Sequence, residues 1–522
     1  MEARDQQHEL YDVAIVGFGP AGAVAAAMLG DAGFKVWVGD RLAEVYNLPR
    51  AIALDHEIMR IFQQIGIVDD VMPHTEPFTP SEYYGVDRQL IKRLTMIDLP
   101  YPLGYTPSIV FTQPPVEKAI RRKVASLSNV TVELGIEVTS VEQDAEAATL
   151  AVSRPQGDSG VVRARYLLGC DGARSLVRDE VAIVLEDLGF HEPWLVVDVR
   201  VNEQGLAKLP KTSVQYCDPE RPCTFVIGPG NHRRWEISLK DGEDPLKAAT
   251  PERTWELLSP WLTPEDGELW RQASYQFHAL VADRWRVGRV FIAGDAAHQQ
   301  PPFLGQGMCQ GLRDVANIAW KLSAVLKGEV PGEAEQALLD SYGEERKQHV
   351  SDLIGRIKAI GSVICERDLL KARQRDAKLL AETGGVVRDS PRQDVLPRLV
   401  GGLLSQASHT AVGTIFPQPW MRQGDTRLRF DELVGEGWLL VVDSAMTPPR
   451  LPALTVHVIG ANDTVEEEDV LAQWMARHAC RAVLVRPDRY VFGAADNQVG
   501  LNHLLAEWQE RLGQRVETSI AI

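Results

Sequence analysis

Cysteine is scarce in this sequence and is placed where it can neither cross-link nor hold a metal. Six residues in 522, Cys170, Cys217, Cys223, Cys309, Cys365 and Cys480, form no CxxC pair and have no histidines at the spacing of a tetrahedral zinc site. The expectation is reduced thiols and no metal. Runs of Lys and Arg are also missing, and the formal net charge of −17 would repel a phosphate backbone, which argues against a nucleic-acid partner. No apolar stretch approaches the ~20 residues needed to span a bilayer. The stretch from Met1 to Leu10 is polar and charged, without the apolar core of a signal peptide. A cytoplasmic protein with no membrane partner is expected.

What is present is the composition of an ordinary globular chain, 45% hydrophobic and 24% charged, long enough for two or three domains. Tyr11 to Val16 is apolar and β-prone, a glycine cluster follows, and Ala21 to Leu29 has the alanine content of a buried helix. Lys35 to Val38 reads as the next strand, completing a βαβ unit of roughly thirty residues. Helices are expected at His56 to Gln64 and Pro115 to Ser126, and strands at Val130 to Leu134, Val138 to Gln143, Thr149 to Ser153 and Ala164 to Cys170. Between Trp194 and Gln276 the texture changes to strands separated by polar turns, as in an inserted antiparallel sheet. Helical spacing runs from Gly311 to about Arg373, and Gly384 to Pro419 has the composition of a linker. Strands at Trp438 to Val442, Leu454 to Val458 and Ala482 to Val485, with a helix at Val470 to His478, then suggest a small α/β domain.

The strongest local signal is Gly17-Phe18-Gly19-Pro20-Ala21-Gly22, between the first strand and its helix. Gly17 permits the tight turn, Gly19 lets the backbone approach a pyrophosphate, Gly22 lets helix and strand pack closely, and Pro20 and Ala21 open a helix whose free N–H groups favour phosphate. Asp40, followed by Arg41, ends the second strand where a carboxylate would accept a hydrogen bond from an adenosine ribose. This motif alone does not separate NAD from FAD. A second glycine-marked segment does: the strand Arg289 to Ala293 ends at Gly294-Asp295, then Pro301-Pro302 and Gly305-Gln306-Gly307-Met308-Cys309 lead into a helix. Asp295 suits a ribityl hydroxyl, and the turn and the start of the helix at Gly311 offer amides to an isoalloxazine carbonyl or a phosphate. Two separated nucleotide-contacting segments fit a cofactor as long as FAD.

With Cys170-Asp171-Gly172-Ala173-Arg174-Ser175 and Arg178 between them, these motifs stand in the order found in the para-hydroxybenzoate hydroxylase superfamily of FAD-dependent monooxygenases, which the chain resembles. Closer similarity is to the 3-(3-hydroxyphenyl)propionate hydroxylases, through Pro49-Arg50-Ala51-Ile52, Trp194-Leu195-Val196-Val197-Asp198, Cys217-Asp218-Pro219-Glu220-Arg221-Pro222 and Arg486-Pro487-Asp488-Arg489-Tyr490. The resemblance implies an α/β fold: a Rossmann-like FAD-binding domain over 1–75, 98–190 and 277–400, an inserted antiparallel-sheet substrate domain over 76–97 and 191–276, and a thioredoxin-like domain over 410–522. It implies flavin contacts from Arg50 and Gln113, and a role for Asp171 and Arg174 in both FAD binding and the encounter with NADH or NADPH. Cys309 stands where many members have Asn, so the contact there is expected from backbone amides. The C-terminal segment has no CxxC, only Cys480, and is expected to be structural or to contact a second copy in a homodimer.

The chemistry implied by the resemblance is hydroxylation of a small phenolic substrate in aromatic catabolism. NAD(P)H reduces FAD, O₂ is captured as a flavin C4a-hydroperoxide, and one oxygen passes to the ring. A group that favours phenolate should stand near the ring. The candidates are Tyr216, His232, Arg234 and His278, with the backbone at Pro301 and Pro302, although a lone Tyr or His on a sheet is more often a satisfied structural residue. Arg234 could pair with a substrate carboxylate, but strand alternation does not say whether Arg233 or Arg234 faces the pocket. The alternatives are a flavin-dependent dehydrogenase, an oxygenase of polyketides or N-heterocycles, a halogenase, which the absence of Trp-x-Trp-x-Ile-Pro disfavours, and a flavin-binding protein without catalysis.

Overall fold

Strands rich in valine and isoleucine that are apolar on both faces belong inside a parallel sheet covered on both sides, and that is where Leu10–Val16 and Val36–Asp40 lie. The computed structural model describes residues 9–155, 157–449, 451–461 and 464–513. They divide into two compact units, one from Met1–Ile97, Pro107–Leu312 and Val350–Leu396, the other from Asp98–Thr106, Arg313–His349 and Pro397–Ile522.

In the first unit Leu10–Val16 pairs in parallel with Ser159–Gly169 on one side and Val36–Asp40 on the other. Val130–Leu134 and Val290–Ile292 extend the same sheet in parallel on its two sides, and Arg286–Val287 pairs antiparallel beyond the latter. The helix Pro20–Asp31 buries Ala23 to Ala27 against this sheet, and its small side chains allow a close approach. A Cβ at Gly30 would lie 2.6 Å from the Val130 side chain.

A second sheet, nine-stranded among the described residues, is mostly antiparallel. Its spine is the pair Leu185–Val201 and Gly267–Ala282, longer than the strand expected from Trp194 alone. Alternation sorts its residues cleanly. Val197, Val199, Phe225, Trp235 and Ile237 form one apolar core with Leu257 and Leu258 of the helix Pro251–Leu258. The opposite face carries the polar residues described below.

In the second unit Trp438–Val442 pairs in parallel with Leu454–Val458 and antiparallel with Ala482–Val485, which pairs with Val491–Ala495. The helices Val470–His478 and Gln498–Arg511 accompany this sheet. The helical stretch read from Gly311 to Arg373 is three helices, Gly307–Leu326, Glu333–Ile364 and Leu369–Glu382. The first break falls at Lys327-Gly328 and Pro331-Gly332, where Gly328 takes φ +71° and Gly332 φ +59°.

The stretch from Gly384 to Pro419 is not a free linker. In the first unit it forms the strand Asp389–Pro391 and the turn Arg392–Val395. In the second unit Leu399, Leu404 and Phe416 are buried. Its glycine and proline made it look solvated, but a few buried apolar side chains, Leu399, Leu403, Leu404 and Phe416, anchor it.

The second unit is organised around a buried carboxylate. Glu345 accepts from Lys321 Nζ at 2.9 Å, Arg486 Nη2 at 2.7 Å, Asn317 Nδ2 at 2.7 Å and the Leu403 amide at 2.8 Å. Burial opposes its charge, yet Arg486 and Lys321 hold its carboxyl well below the usual carboxylate range. Glu345→Ala leaves both cations buried without their shared partner and is expected to cost about 3–5 kcal/mol. Thermal unfolding monitored by circular dichroism checks this, and a midpoint equal to the parent's would contradict it.

Candidate active site

A cavity of about 560 Å³ lies within the first unit. One wall is built from the glycine motifs. Gly17 sits at φ +99°, where a Cβ would lie 2.3 Å from the Cys170 carbonyl oxygen, and a Cβ at Gly22 would lie 1.9 Å from the Gly17 oxygen. Both glycines therefore serve strand–turn–helix packing. Gly19 differs: a Cβ there would meet nothing within 4 Å, and with Pro20 and Ala21 it lines the cavity. It is also the N-cap of its helix, with no side chain capping the first turn and no acid within it. Such an end suits a phosphate.

Asp40 stands behind this turn. Its carboxylate accepts from the Phe18 amide at 2.5 Å and the Leu42 amide at 2.7 Å, fixing the loop, and Arg41 beside it is exposed. Arg50 and Gln113 both line the cavity. The Gln113 amide is engaged within the protein: its oxygen accepts from the Arg50 and Ala51 amides, and its nitrogen donates to Glu117. Gln113 thus shapes the loop that carries Arg50.

The other two motifs are joined by Arg178, whose Nη1 donates to Ala173 O at 3.1 Å and Ala296 O at 3.3 Å. Asp171 accepts from Ser175 Oγ at 2.5 Å and the Val177 amide at 3.0 Å, and burial pushes its carboxyl up. Gly172 and Ala173 reach the cavity, whereas Arg174 is exposed outside its wall. Gly294 (φ +62°), Asp295, Pro301, Pro302, Gly305, Gly307 and Met308 line it. Gln306 and Cys309 are buried, with the Cys309 thiol 3.7 Å from Ala53 O. Cys309 is a packed thiol.

The facing wall is the polar face of the nine-stranded sheet. Here alternation is resolved: Arg234 faces the cavity and Arg233 does not. Arg234 is not available for a bidentate grip on a substrate carboxylate. Its Nε and Nη2 hold Asp198 at 2.7 and 3.1 Å, and its Nη1 donates to Arg50 O at 2.8 Å. His232 is buried with Nε2 2.7 Å from Asp198 and does not line the cavity, and burial pushes its pKa down. Tyr216 points the other way, packing on the apolar core and accepting from Trp261 Nε1 at 3.1 Å. His278 does line the cavity, its Nδ1 2.8 Å from that of His191.

Several wall residues escaped the sequence reading: Gln215, Thr224, Glu236, Arg271, Tyr275 and Arg392. Arg392 is held by Leu304 O at 2.9 Å and Ser81 Oγ at 3.2 Å and lies over the Phe78 ring. Two carboxyls on this face behave oppositely. Burial opposes the charge of Asp198, yet Arg234 and His232 hold it down to about 2. Burial pushes Glu236 up to about 7, with Asp198 adding to the rise and Arg234 and Arg271 opposing it. Alternation from Arg234 to Glu236 was the signal that could have found the second.

The residues fit a long cofactor with a diphosphate and a flat ring. Gly19 and Gly307 leave open space at the wall, and both polar atoms of the Gln300 amide are buried there without a protein partner. Fold and site together define a flavoprotein of the monooxygenase type. The family described as FAD binding domain matches residues 10–356, and the HcaD C-terminal domain matches 413–511. A protein of Rhodococcus jostii (strain RHA1) named a probable NADH-specific resorcinol 4-hydroxylase is 37% identical over 95% of this chain and 94% of its own. A 3-(3-hydroxy-phenyl)propionate/3-hydroxycinnamic acid hydroxylase of Burkholderia cenocepacia is 31% identical over 97% and 98%. Among solved structures, the flavin-dependent monooxygenase PieE in complex with FAD and substrate superposes with a TM-score of 0.81 at 22% identity, covering 98% of this chain and 100% of that one. Aklavinone-11 hydroxylase with FAD and aklavinone gives 0.79 at 23%, again over 98% and 100%. The chain belongs to the FAD-binding-domain family of FAD-dependent aromatic monooxygenases.

The glycines make separable predictions. Gly19→Ala is expected to keep the melting temperature of the FAD-free protein within a few degrees while weakening FAD at least tenfold. Gly22→Ala is expected to lower both. Flavin fluorescence titration and calorimetry of the two FAD-free proteins measure this, and equal FAD affinity in Gly19→Ala and the parent would sink the placement of the pyrophosphate.

Proposed function

We propose that this chain is a single-component hydroxylase that uses NADH and O₂ to add one hydroxyl group to a small phenolic ring in aromatic catabolism. The observation that carries this reading is a cavity bounded by the flavin motifs on one side and by a buried polar sheet face on the other. FAD, when bound, supplies hydride acceptance and oxygen activation. The protein supplies position, charge and exclusion of water.

In this reading the first turn of the helix Pro20–Asp31 holds the pyrophosphate and Asp40 the adenosine ribose. Asp295 holds the ribityl chain, and the amides of Gly307 to Cys309 a carbonyl of the ring system. Arg50, fixed by Gln113, covers the flavin, and Asp171 and Arg174 serve the approach of NADH. Pro302 places its backbone near the substrate, and Phe78, Phe277 and Phe303 keep that end of the cavity apolar. Two relatives act, by their names, on rings with a free hydroxyl, and one is named for NADH.

The second unit is read as a thioredoxin-like scaffold without redox exchange. The mixed sheet flanked by two helices supports the first part. Burial, which pushes the Cys480 thiol up to about 11, supports the second.

The purified protein is expected to be yellow and to oxidise NADH faster when resorcinol or 3-(3-hydroxyphenyl)propionate is added, with O₂ uptake matching a product one oxygen heavier by mass. NADH oxidation that yields only hydrogen peroxide with every phenol offered would overturn the hydroxylase reading. Asp295→Ala is expected to be purified without flavin, and normal FAD content in that variant would remove the ribityl contact.

A further inference from the structure

Strand pairing lays the polar wall of the cavity out in two adjacent rows. Val226, Arg234, Asp198 and Arg271 lie side by side across four strands, and the next row on the same face is Gln215, Thr224, Glu236 and Val196. The first row is closed on itself. Asp198 takes Arg234 through both oxygens, Arg271 Nη1 approaches it at 3.4 Å, and Arg271 Nη2 donates to the Tyr275 hydroxyl. The Asp198 carboxylate is thus neutralised within the protein by its guanidinium partners.

The second row is open. Thr224 donates its hydroxyl proton to Gln215 Oε1 at 2.6 Å, so what Thr224 has left to offer is lone pairs. Glu236 lies beside it, only 6% exposed. Among the described residues nothing donates a hydrogen bond to its carboxyl, and no cation comes within ion-pair distance; only longer-range fields act on it. A buried carboxyl without a donor is unfavourable. The Glu236 carboxylate and the lone pairs of Thr224 therefore call for a ligand that brings an O–H.

We propose that Glu236 is a catalytic residue that accepts the proton of a ring hydroxyl of the substrate, with Thr224 accepting a second hydrogen bond that orients the ring. This rests on the hydroxylase reading above. The phenolic O–H bond breaks, an O–H bond forms on the Glu236 carboxylate, and the negative charge passes to the ring oxygen. That charge enriches the ring carbons ortho and para to it, where an electrophilic oxygen adds. As the C–O bond forms, the hydrogen on that carbon leaves as a proton to solvent and the ring regains its aromaticity, while the proton held on Glu236 returns to the original ring oxygen, restoring the carboxylate for the next turnover.

The surroundings agree with this assignment. On the face of Glu236 are Arg234 on its own strand and Asp198 on one neighbouring strand with Arg271 beyond it, while the Cys223 thiol on the other neighbouring strand belongs to the opposite, apolar face. Two carboxyls whose environments drive their ionisation apart are the signature of divided roles. Asp198 stays ionised and structural, while Glu236 titrates to about 7, where a general base works best at neutral pH.

The test uses the full-length, FAD-loaded protein with Glu236→Gln and Glu236→Asp. For the parent, kcat/KM is expected to rise with pH through about 7. In Glu236→Gln that rise should vanish and kcat for resorcinol should fall by about 10²–10⁴-fold, with FAD content unchanged. Glu236→Asp should recover part of the loss. A nitrophenol already ionised at the assay pH should bind to Glu236→Gln more tightly than to the parent, whose carboxylate repels it. Ultraviolet difference spectra of bound resorcinol should show phenolate with the parent and neutral phenol with Glu236→Gln. Phenolate formation and an unaltered pH profile in Glu236→Gln would overturn the assignment alone. Phenolate formation in a parent that never oxygenates the ring would instead remove the hydroxylase reading and leave Glu236 as the proton acceptor.

Discussion

The ion pair between Asp198 and Arg234 is the constraint on which the site depends. Arg234 has one side committed to Asp198 and the other to the carbonyls of Arg50 and Pro49, at 2.8 and 3.4 Å. One side chain therefore fastens the antiparallel sheet to the loop that carries Arg50. Burying such a charge is tolerable because hydrogen bonds to Asp198, Arg50 O and Pro49 O engage all three of its nitrogens. The cavity owes its two-walled form to this arrangement, and the Asp198–Arg234–Arg271 row is better understood as framework than as substrate contact.

That framework also explains how two carboxyls on one sheet face come to differ. Asp198 sits between guanidinium groups that hydrogen-bond to it directly, whereas Glu236 feels them only at a distance. Proximity on a strand is not equivalence of environment. The contrast arises from pairing register, which sets Asp198 opposite Arg234 and Val196 opposite Glu236.

The parts legible in the sequence were those governed by local geometry. Gly17-Phe18-Gly19-Pro20-Ala21-Gly22 announced its turn because the three glycines stand at fixed spacing between an apolar strand and an alanine-rich helix, and Lys35 to Val38 announced a buried strand by composition alone. The polar wall was illegible for the opposite reason. Gln215, Thr224 and Glu236 lie on three separate strands and meet only through register, which no local pattern encodes. Tyr216 and His232 attracted notice by residue type, but one faces the apolar core and the other is enclosed beside Asp198. The stretch from Gly384 to Pro419 misled by its composition, since its few leucines outweigh its many small residues.

The buried hub around Glu345 has a consequence for how the chain is divided. Its partners come from residues 317–321, 403 and 486–488, three stretches far apart in sequence. A fragment ending near residue 400 would retain Glu345 and Lys321 but lose Arg486, and with it the guanidinium that does most to keep the carboxylate ionised. The helices Gly307–Leu326 and Glu333–Ile364 are thus completed electrostatically by the last part of the polypeptide, which makes that segment an integral member of the fold and a poor candidate for truncation.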